Sequence, residues 1–519
     1  MEYATRSLLL ILGLSVAVRV VKALSHHLHI RRCLRTIPGP RPSSLLWGEE
    51  WLLYHTEPGS QYSKWHEEFG RVVKFTGAIG HQALSITDTR AITSILGEHA
   101  YSFPKPDGVR AWFKATLGEG LVWTEGKENH QRQRRMLAPG LSKQSVRNMM
   151  PIFYGTASKL ASHWSKLIEN SDRGDEAEIE ATSWAGRFAL DSVTQAAFSY
   201  DCGFLSGDHE SLLASLDGLT NNENKASSFY MRALFWIFPS ILSIGQKGEM
   251  IRRSKRELGA IASKVWRDAK IAGDTEGKNL MAMMRVPTPV KVTLEPGDRF
   301  SEEEAVAQMR TVISAGYETT SGLIAWVLYE LAMSSDVQAR LREEILTAGD
   351  VDLSMDRLNE LSFLDAVIKE TLRMHPPISE NHHQAAETIS VPLSEPLPNS
   401  SETHLVIPKG TTIAIPVNVV HSDPSVFGDD ADVFRPDRWS ERQKKGIRNE
   451  REIFAFSEGP RTCIGKMFAL TEIKVLLVTL FRQFSVSCSR DIEPFQSFVV
   501  RPRVKGEARS SLPLVVRKV

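Results

Sequence analysis

The sequence predicts a mainly α-helical protein, in which one large helical domain carries small peripheral β-sheets and follows an N-terminal membrane-anchor helix. Residues 127–350 are mostly helix-like, and 301–349 keep helical apolar spacing over many turns. Strand-like stretches are short and lie on either side of this helical block. An uncharged run, Ser7 to Val18, lies near the start of the chain. A length of 519 residues suggests about three domains, but this pattern favours one.

The composition is that of an ordinary globular protein. Apolar residues make up 42% and charged residues 24% of the chain, which excludes a disordered or collagen-like protein. Lys and Arg number 63 and Asp and Glu 62, so the formal net charge is +1. Nucleic-acid-binding proteins usually show a basic excess. We therefore expect no nucleic-acid partner.

Cysteine usage excludes two further classes of protein. The four cysteines are Cys33, Cys202, Cys463 and Cys488. So few in a long chain do not form a disulfide framework, and they favour a reducing compartment. No two are spaced as C-x2-C, so a structural zinc site is not expected.

The N-terminal segment is predicted to be a membrane anchor over residues 1–24. Helix from Leu8 to Leu24 spans about 25 Å, against roughly 30 Å of hydrocarbon, if Arg19 and Lys22 extend towards the headgroups. A cleaved signal peptide and a buried helix are the alternatives. More basic residues follow the apolar run than precede it, which keeps the remaining chain on the cytoplasmic side.

A basic, Pro-rich linker is expected over 25–42, and the main domain over 43–519. Pro and Gly punctuation and alternating apolar residues predict the remaining irregular and extended stretches. These are strands within 72–80 and 83–87, a loop from Val286 to Phe300, β-structure within 388–416, and a strand from Leu512 to Val516.

The most informative stretch runs from Phe456 to Gly465, directly before a helix-like segment at 466–481. Cys463 then lies beside the positive end of a helix, which lowers the pKa of its thiol and suits it to hold a metal. Gly459 and Gly465 permit close backbone approach to a flat ligand, and Arg461 offers a fixed positive charge to an acidic group of that ligand. A buried structural cysteine and a nucleophile with a histidine base remain alternatives.

This stretch resembles the haem-binding signature of the cytochrome P-450 family, F-x-x-G-x-R-x-C-x-G, and all five fixed positions match. The resemblance implies a cytochrome P-450-type helical haem domain. It also implies that Cys463 is the axial ligand of the haem iron, the role in which a Cys thiolate is known from this family. Phe456 would pack near its sulfur, and Arg461 would contact a haem propionate.

A second motif, Ala315-Gly316-Tyr317-Glu318-Thr319-Thr320, matches the family's oxygen-activation helix. By resemblance, small residues leave room for O2, Thr319 supplies a hydroxyl and opens the helix locally, and Glu318 relays protons from water. Proton delivery of this kind typically contributes 10²–10⁴-fold. The alternative is structural: Gly316 serves helix packing, and the two threonines bond carbonyl oxygens one turn back.

Glu370 and Arg373 share a helix face at i,i+3, and Arg438 lies in the stretch Pro436 to Trp439 that the family uses as a third partner. The resemblance assigns this trio to folding and haem retention. It also points to His130 and Arg134 as a cationic pair for the two propionates, against the alternative of a solvated charged face. One departure is His383, which stands where family members commonly carry a propionate-binding Arg, although His can still donate a hydrogen bond.

The implied activity is monooxygenation with haem b, inserting one oxygen atom from O2 into a small lipophilic substrate. A terpenoid of secondary-metabolite biosynthesis is the favoured class. Pocket walls are expected at Tyr101–Leu121, Phe204–Ile244, Val312–Ala315, Ile378–Asn381 and Phe498. The alternatives are a haem-thiolate isomerase or dehydratase and a non-catalytic haem sensor; the acid/alcohol pair argues against both.

The sequence shows no G-x-G-x-x-G fingerprint, so electrons from NADPH are expected to arrive through a separate flavoprotein reductase. A local basic docking patch for it is predicted from Arg132, Arg135, Lys444, Lys445 and Lys466. Membrane lipid is the third expected partner, through the N-terminal helix. The resemblance implies a single-pass protein of the endoplasmic reticulum membrane, with its catalytic domain on the cytoplasmic face.

Overall fold

The structure is a computed structural model that describes Val18, Val21 and residues 25–220, 225–271, 280, 300–349, 352–398, 400–445, 453–496 and 498–519. Most of the predicted anchor, 1–24, lies outside these residues. Within them, no helix combines the length and apolarity that crossing a bilayer requires. Residues 25–33 are helical, and Ile30 and Leu34 pack into the core below them.

Helices form most of the described structure. In chain order they are α1 (Glu50–His55), α2 (Ser60–Phe69), α3 (Thr89–Leu96), α4 (Asp107–Thr116), α5 (Lys127–Leu137), α6 (Lys143–Glu169), α7 (Ala181–Phe198), α8 (Glu210–Thr220), α9 (Lys225–Leu234), α10 (Gly245–Ile271), α11 (Glu302–Met333), α12 (Ser335–Thr347), α13 (Met355–Glu360), α14 (Ser362–Met374), α15 (Val417–Val420), α16 (Pro424–Phe427), α17 (Asp437–Lys444) and α18 (Lys466–Phe481).

The strands form four small sheets. They are β1 (Val72–Thr76), β2 (Gln82–Ile86), β3 (Glu176–Glu180), β4 (Glu380–Gln384), β5 (Ile389–Pro392), β6 (His404–Ile407), β7 (Thr412–Pro416), β8 (Phe484–Ser487), β9 (Ile492–Gln496), β10 (Val500–Val504) and β11 (Pro513–Lys518). The largest sheet has the order β1-β2-β7-β4, in which β2 and β7 are parallel and the other pairs antiparallel. The smaller sheets are β3-β11-β8, β9-β10 and β5-β6.

A helical core surrounds α11, which packs closely on α7. A Cβ added at Gly316 would lie 2.9 Å from Val193 Cγ2, and one at Gly186 would lie 3.2 Å from the Tyr317 ring. These small residues therefore set the crossing of the two helices. Ser301 and Glu304 form a capping box at the start of α11, which satisfies backbone N–H groups that the first turn leaves unpaired.

The predicted architecture of one helical block with small sheets is confirmed. The expected strands appear as β1, β2, β5–β7 and β11, and the helix-like 301–349 is two helices that break at Ser334. The loop predicted from Val286 to Phe300 lies outside the described residues except for Phe300, which is buried.

Candidate active site

A cavity of ≈ 650 Å³ lies at the centre of the helical block. Cys463, Arg461, Glu318 and Thr319 line it together, although up to 145 positions separate them in the sequence. All five predicted wall segments contribute side chains, including Trp112, Phe235, Val312, Ile378 and Phe498. The lining is mainly apolar, which suits a lipophilic ligand.

Cys463 lies in the loop that leads into α18. Its backbone N–H donates to the carbonyl of Phe456, 2.8 Å away, so the loop folds back on itself beside the cysteine. The Cys463 side chain is exposed to the cavity, although its surroundings lie deep in the protein. Burial raises the pKa of its thiol above the usual value, and the Gly465 N–H and Arg134 offset this only in part. The prediction that the helix start alone lowers this pKa was therefore wrong; a bound cation would be needed to hold the thiolate.

Gly459 does not have its predicted role, which was to let the backbone approach a flat ligand closely. It does not line the cavity. Its φ is +67°, and a Cβ there would lie 2.2 Å from the carbonyl oxygen of Leu96. The glycine is required because the cysteine loop packs against the end of α3, and any side chain would separate them. Gly465, by contrast, does line the cavity.

Arg461 is held at the cavity wall by two partners. Its Nη1 donates to the carbonyl of Thr124, 3.2 Å away, and its Nη2 pairs with Glu125. Its Nε is buried and makes no hydrogen bond with any described residue. An unpaired buried donor is costly. An acidic group of a ligand in the cavity would accept the hydrogen bond that Arg461 Nε–H does not make within the protein.

His130 and Arg134 both line the cavity from α5, but only Arg134 is cationic there. His130 is 3% exposed, and its burial, together with the positive charges of Arg461 and Lys105, lowers its pKa to about 4. The predicted cationic pair is therefore one cation and one neutral imidazole. Arg134 also donates from Nη1 to the Thr462 carbonyl, 2.7 Å away, and so holds the residue before Cys463.

His383 is likewise neutral in the structure, because burial lowers its pKa to about 4. Its Nδ1 lies 2.9 Å from the carbonyl oxygen of Phe103, so that nitrogen carries the proton and donates. The neutral ring then has no second N–H. Of the two forms in which His383 was expected to donate, the neutral ring has its N–H engaged by Phe103, so donation from Nε2 to a propionate requires the protonated ring.

The acid/alcohol pair faces the cavity from α11. Thr319 Oγ1 donates to the carbonyl of Ala315, 2.7 Å away, one turn back. The helix runs unbroken from Glu302 to Met333, so the local opening expected at Thr319 is absent from this described stretch. Gly316 both packs against Val193, as the structural alternative expects, and lines the cavity, as the functional one does. Glu318 is 9% exposed and is the acidic side chain of α11 at the cavity wall.

The trio of Glu370, Arg373 and Arg438 is buried and shares hydrogen bonds. Arg373 makes two bonds of 3.0 and 2.9 Å to the Glu370 carboxylate, and Arg438 Nε adds a third at 3.2 Å. Arg373 also donates to the carbonyl oxygens of His421 and Ala431. None of the three lines the cavity, in keeping with their predicted role in holding the chain that leads to the cysteine loop.

Sequence reasoning missed His421, a fully buried residue in this same network. Its Nδ1 donates to the carbonyl of Arg373 at 3.1 Å, and its Nε2 accepts the N–H of Phe454 at 2.8 Å. Burial lowers its pKa to about 3, so the ring is neutral. His421 thus joins α14 to the segment that enters the cysteine loop. His421 is a single histidine after the predicted β-structure, and no motif around it in the sequence indicates this structural role.

One of the five residues predicted to form the basic docking patch, Arg132, has a structural partner instead. Arg132 pairs with Glu304 at the start of α11, and its side chain is only 21% exposed. It therefore holds α5 against α11. Arg135, Lys444, Lys445 and Lys466 are exposed.

The donor set fits the haem that the resemblance implies. A cysteine sulfur points into an apolar cavity, and two arginines line the same wall, one of them with an unpaired buried N–H. Within the described residues, no cluster of three or more His, Cys, Asp or Glu offers a different metal site.

Comparison with known proteins identifies the same family. The family model described as Cytochrome P-450 matches residues 37–508. The monooxygenase claQ of Ampulloclitocybe clavipes, a cytochrome P-450, is 32% identical over 508 residues, covering 93% of this chain and 94% of that protein. A second member from that organism, claU, is 31% identical over 94% of each chain. Cytochrome P-450 monooxygenase 205 of Postia placenta is 31% identical over 98% of each.

Proposed function

This chain belongs to the cytochrome P-450 family and is a haem monooxygenase, and on that premise we propose that Cys463 is the thiolate ligand and that the enzyme oxidises a lipophilic small molecule. The observation that carries the proposal is the shared cavity, in which the Cys463 sulfur and the α11 residues Glu318 and Thr319 line one mainly apolar space. A terpenoid of secondary metabolism is the substrate class we favour.

Each side chain has a defined task in this proposal. When bound, the haem supplies the redox chemistry that splits O2, and thiolate ligation favours cleavage of the O–O bond. Arg461 binds an acidic group of the haem through its unpaired Nε, and Arg134 contributes the second positive charge. Phe456 fixes the cysteine loop through its carbonyl. The apolar walls exclude water and orient the substrate.

Proton delivery falls to α11. Glu318 is the carboxylate that takes protons from water, and the Thr319 hydroxyl passes them into the cavity. Thr319 Oγ1 now donates to Ala315, so its lone pairs remain available to accept. The hydroxyl proton must leave the Ala315 carbonyl when Thr319 donates towards the reacting oxygen.

The proposal includes membrane attachment through residues 1–24, followed by the linker 25–42 and the catalytic domain 43–519. Exposed apolar side chains support it, because soluble monomers rarely expose large apolar patches. They include Leu45, Trp51, Tyr230 and Phe238, each about half exposed or more, and the Trp47 and Tyr230 rings lie 5.6 Å apart. We propose a single-pass protein of the endoplasmic reticulum with a cytoplasmic catalytic domain.

Electrons are proposed to come from an NADPH-dependent flavoprotein reductase. Lys466 offers positive charge at the start of α18, directly after the cysteine loop, and Lys444 and Lys445 are exposed at the end of α17. Charge complementarity of this kind raises association rates more than affinity.

The test combines a spectrum with product analysis. Reduced, CO-treated holoprotein is expected to show the absorption band of thiolate-ligated haem, and Cys463→Ser is expected to lose that band while Cys488→Ser keeps it. With NADPH, the reductase and ¹⁸O2, a lipophilic metabolite extract should yield a product that carries one labelled oxygen atom. A product that forms without NADPH and O2 would instead indicate an isomerase or dehydratase.

A further inference from the structure

A charged cluster lies within the otherwise apolar cavity wall. Its centre is the carboxylate of Glu380, the first residue of β4, which is paired with Arg232 of α9 at 3.5 Å. Both residues line the cavity. The carboxylate of Glu50, from α1, interacts electrostatically with both of them and is 5% exposed. Charges that lie this deep in a protein need partners.

Glu380 has its partners. The Tyr62 hydroxyl donates to Oε2 at 3.4 Å, and Gln496 Nε2 donates to Oε1 at 3.2 Å. His382 Nε2 lies 3.5 Å from Oε2. Arg232 and these contacts hold the pKa of Glu380 below its usual value in spite of burial, so Glu380 is an anion at neutral pH.

Three buried polar groups lie beside this ion pair: Arg232 Nε, the Tyr54 hydroxyl and the Ser228 hydroxyl. The two hydroxyls interact with each other, whereas Arg232 Nε makes no hydrogen bond with any described residue. All three side chains line the cavity. Leaving a buried donor unsatisfied is costly. A pair of hydroxyls that share one hydrogen bond still has one O–H left to donate, so this place on the cavity wall offers two donors, from two helices, to a polar ligand group.

The charge of the cluster selects the kind of group. Arg232 is a cation and Glu380 an anion, whereas His382 is neutral because burial lowers its pKa to about 4. Burial also raises the pKa of Glu50 to about 7. A ligand carboxylate would be a third acidic group around one guanidinium, and a ligand ammonium would face that guanidinium. A neutral oxygen that accepts hydrogen bonds fits the cluster without either penalty.

The strand β4 sets the separation of this cluster from the cysteine side. Glu380 begins the strand, and His383, whose pKa Arg461 influences electrostatically, lies three positions further on. At roughly 3.3 Å per residue, about 10 Å of strand lies between them. A substrate held by the cluster at one end of β4 would therefore extend along the cavity wall towards the cysteine side.

We propose that Tyr54, Ser228 and Arg232 bind a hydroxyl or carbonyl oxygen already present on an otherwise apolar substrate; this inference rests on the proposed function. The Arg232 Nε–H and the one O–H that the Tyr54–Ser228 pair does not use internally donate to the two lone pairs of that oxygen. A hydroxyl of the pair also accepts from it if it is an alcohol. The substrate class is then an oxygenated lipophile.

The test compares two ligands that share a skeleton and differ in one ketone: nootkatone, which carries it, and valencene, which does not. Equilibrium dialysis with full-length haem-loaded protein in detergent, without NADPH or reductase, gives the ratio of their dissociation constants. We expect the double variant Tyr54→Phe/Ser228→Ala to lower the preference for nootkatone about 5- to 10-fold, because it removes the one neutral hydrogen bond that the hydroxyl pair donates to the ketone. Valencene binding should change less than about threefold, because its skeleton offers these hydroxyls no oxygen.

The control is Tyr329→Phe, which removes a tyrosine hydroxyl from α11 outside the cavity lining and is expected to keep the wild-type ratio. The inference is overturned if wild type and the double variant give the same ratio, or if wild type does not bind nootkatone. Failure of the proposed function has a separate signature: holoprotein that binds nootkatone selectively but shows no CO band and yields no labelled product.

Discussion

Arg134 Nη1 donates a 2.7 Å hydrogen bond to the carbonyl oxygen of Thr462, the residue immediately before Cys463. The guanidinium lines the cavity at the same time. One side chain of α5 therefore both positions the cysteine loop and presents positive charge to the haem pocket. Four predictions follow from contacts of this kind.

Arg134→Leu is expected to weaken haem retention by roughly 10- to 100-fold, because hydrogen bonds that involve a charged group contribute about 1.5–3 kcal/mol. The measurement is the rate of haem transfer to apomyoglobin, together with the haem content of purified protein. Arg135→Leu is the matched control, since Arg135 is exposed on the same helix. Equal transfer rates for the two variants would contradict the role of Arg134.

Gly459→Ala is expected to destabilise the holoprotein by about 2 kcal/mol or more, because it combines a positive φ with a clash against the Leu96 carbonyl. The thermal midpoint and the haem content should both fall. Gly155→Ala serves as the control: it lies within α6 with nothing within 4 Å of the added Cβ, and is expected to stabilise by up to about 1 kcal/mol. A Gly459→Ala protein as stable as wild type would refute the packing argument.

Glu472→Gln is expected to change how stability depends on pH. Glu472 is fully buried in α18, and burial raises its pKa from 4.5 to about 8, which a hydrogen bond with the Ser192 side chain offsets only in part. The folded protein therefore keeps a proton that the unfolded chain releases, so this contribution is complete below pH 4.5 and is lost as the pH rises towards 8.

The variant keeps the shape of the side chain and removes its titration. Between roughly pH 5 and pH 8, wild type should lose a few kcal/mol relative to Glu472→Gln, seen as thermal midpoints that diverge as the pH rises. Glu343→Gln, at an exposed position of α12, is the control. Parallel pH profiles for wild type and Glu472→Gln would show that Glu472 is not protonated in the fold.

Thr319→Ala is expected to uncouple electron use from product formation, because the cavity then loses the hydroxyl that delivers protons. NADPH consumption should continue while the product formed per NADPH falls about 10-fold or more, within the range of general acid assistance. Thr347→Ala removes an equivalent back-bonded hydroxyl from α12, at its bond to the Glu343 carbonyl, and should leave the coupling ratio unchanged. Unchanged coupling in Thr319→Ala would exclude the proton-relay role.

The sequence predicted the architecture well wherever the structure depends on residues that are close together in the chain. The apolar spacing of 301–349 predicted α11 and α12, and the Gly/Pro-rich loop before 466–481 predicted where α18 begins. Both patterns depend only on neighbouring residues. The trio of Glu370, Arg373 and Arg438 was predictable because a family motif supplied the long-range pairing.

Properties that depend on contacts across the chain were not predictable. The reason for glycine at 459 is the carbonyl of Leu96, 363 positions earlier. The neutral state of His130 depends on burial and on Arg461 and Lys105, which come from other segments. The Arg232 and Glu380 pair joins residues 148 positions apart and has no local signature. Sequence patterns do not encode desolvation, so predictions of charge state failed where burial decides them.

The carboxylate of Glu304 constrains how many residues can lie between the start of α11 and Thr319. One of its oxygens accepts the Ser301 N–H at 3.0 Å in the capping box, and the other pairs with Arg132. The start of α11 is thereby locked in axial register to the helix that carries Arg134. Because each residue turns an α-helix by about 100°, a one-residue insertion between Glu304 and Ala315 would rotate Thr319 away from the cavity. An insertion of about one full turn would restore its direction but move it about 5.4 Å along the helix axis and displace Gly316 from its contact with Val193. The number of residues between Glu304 and Ala315 should therefore be fixed.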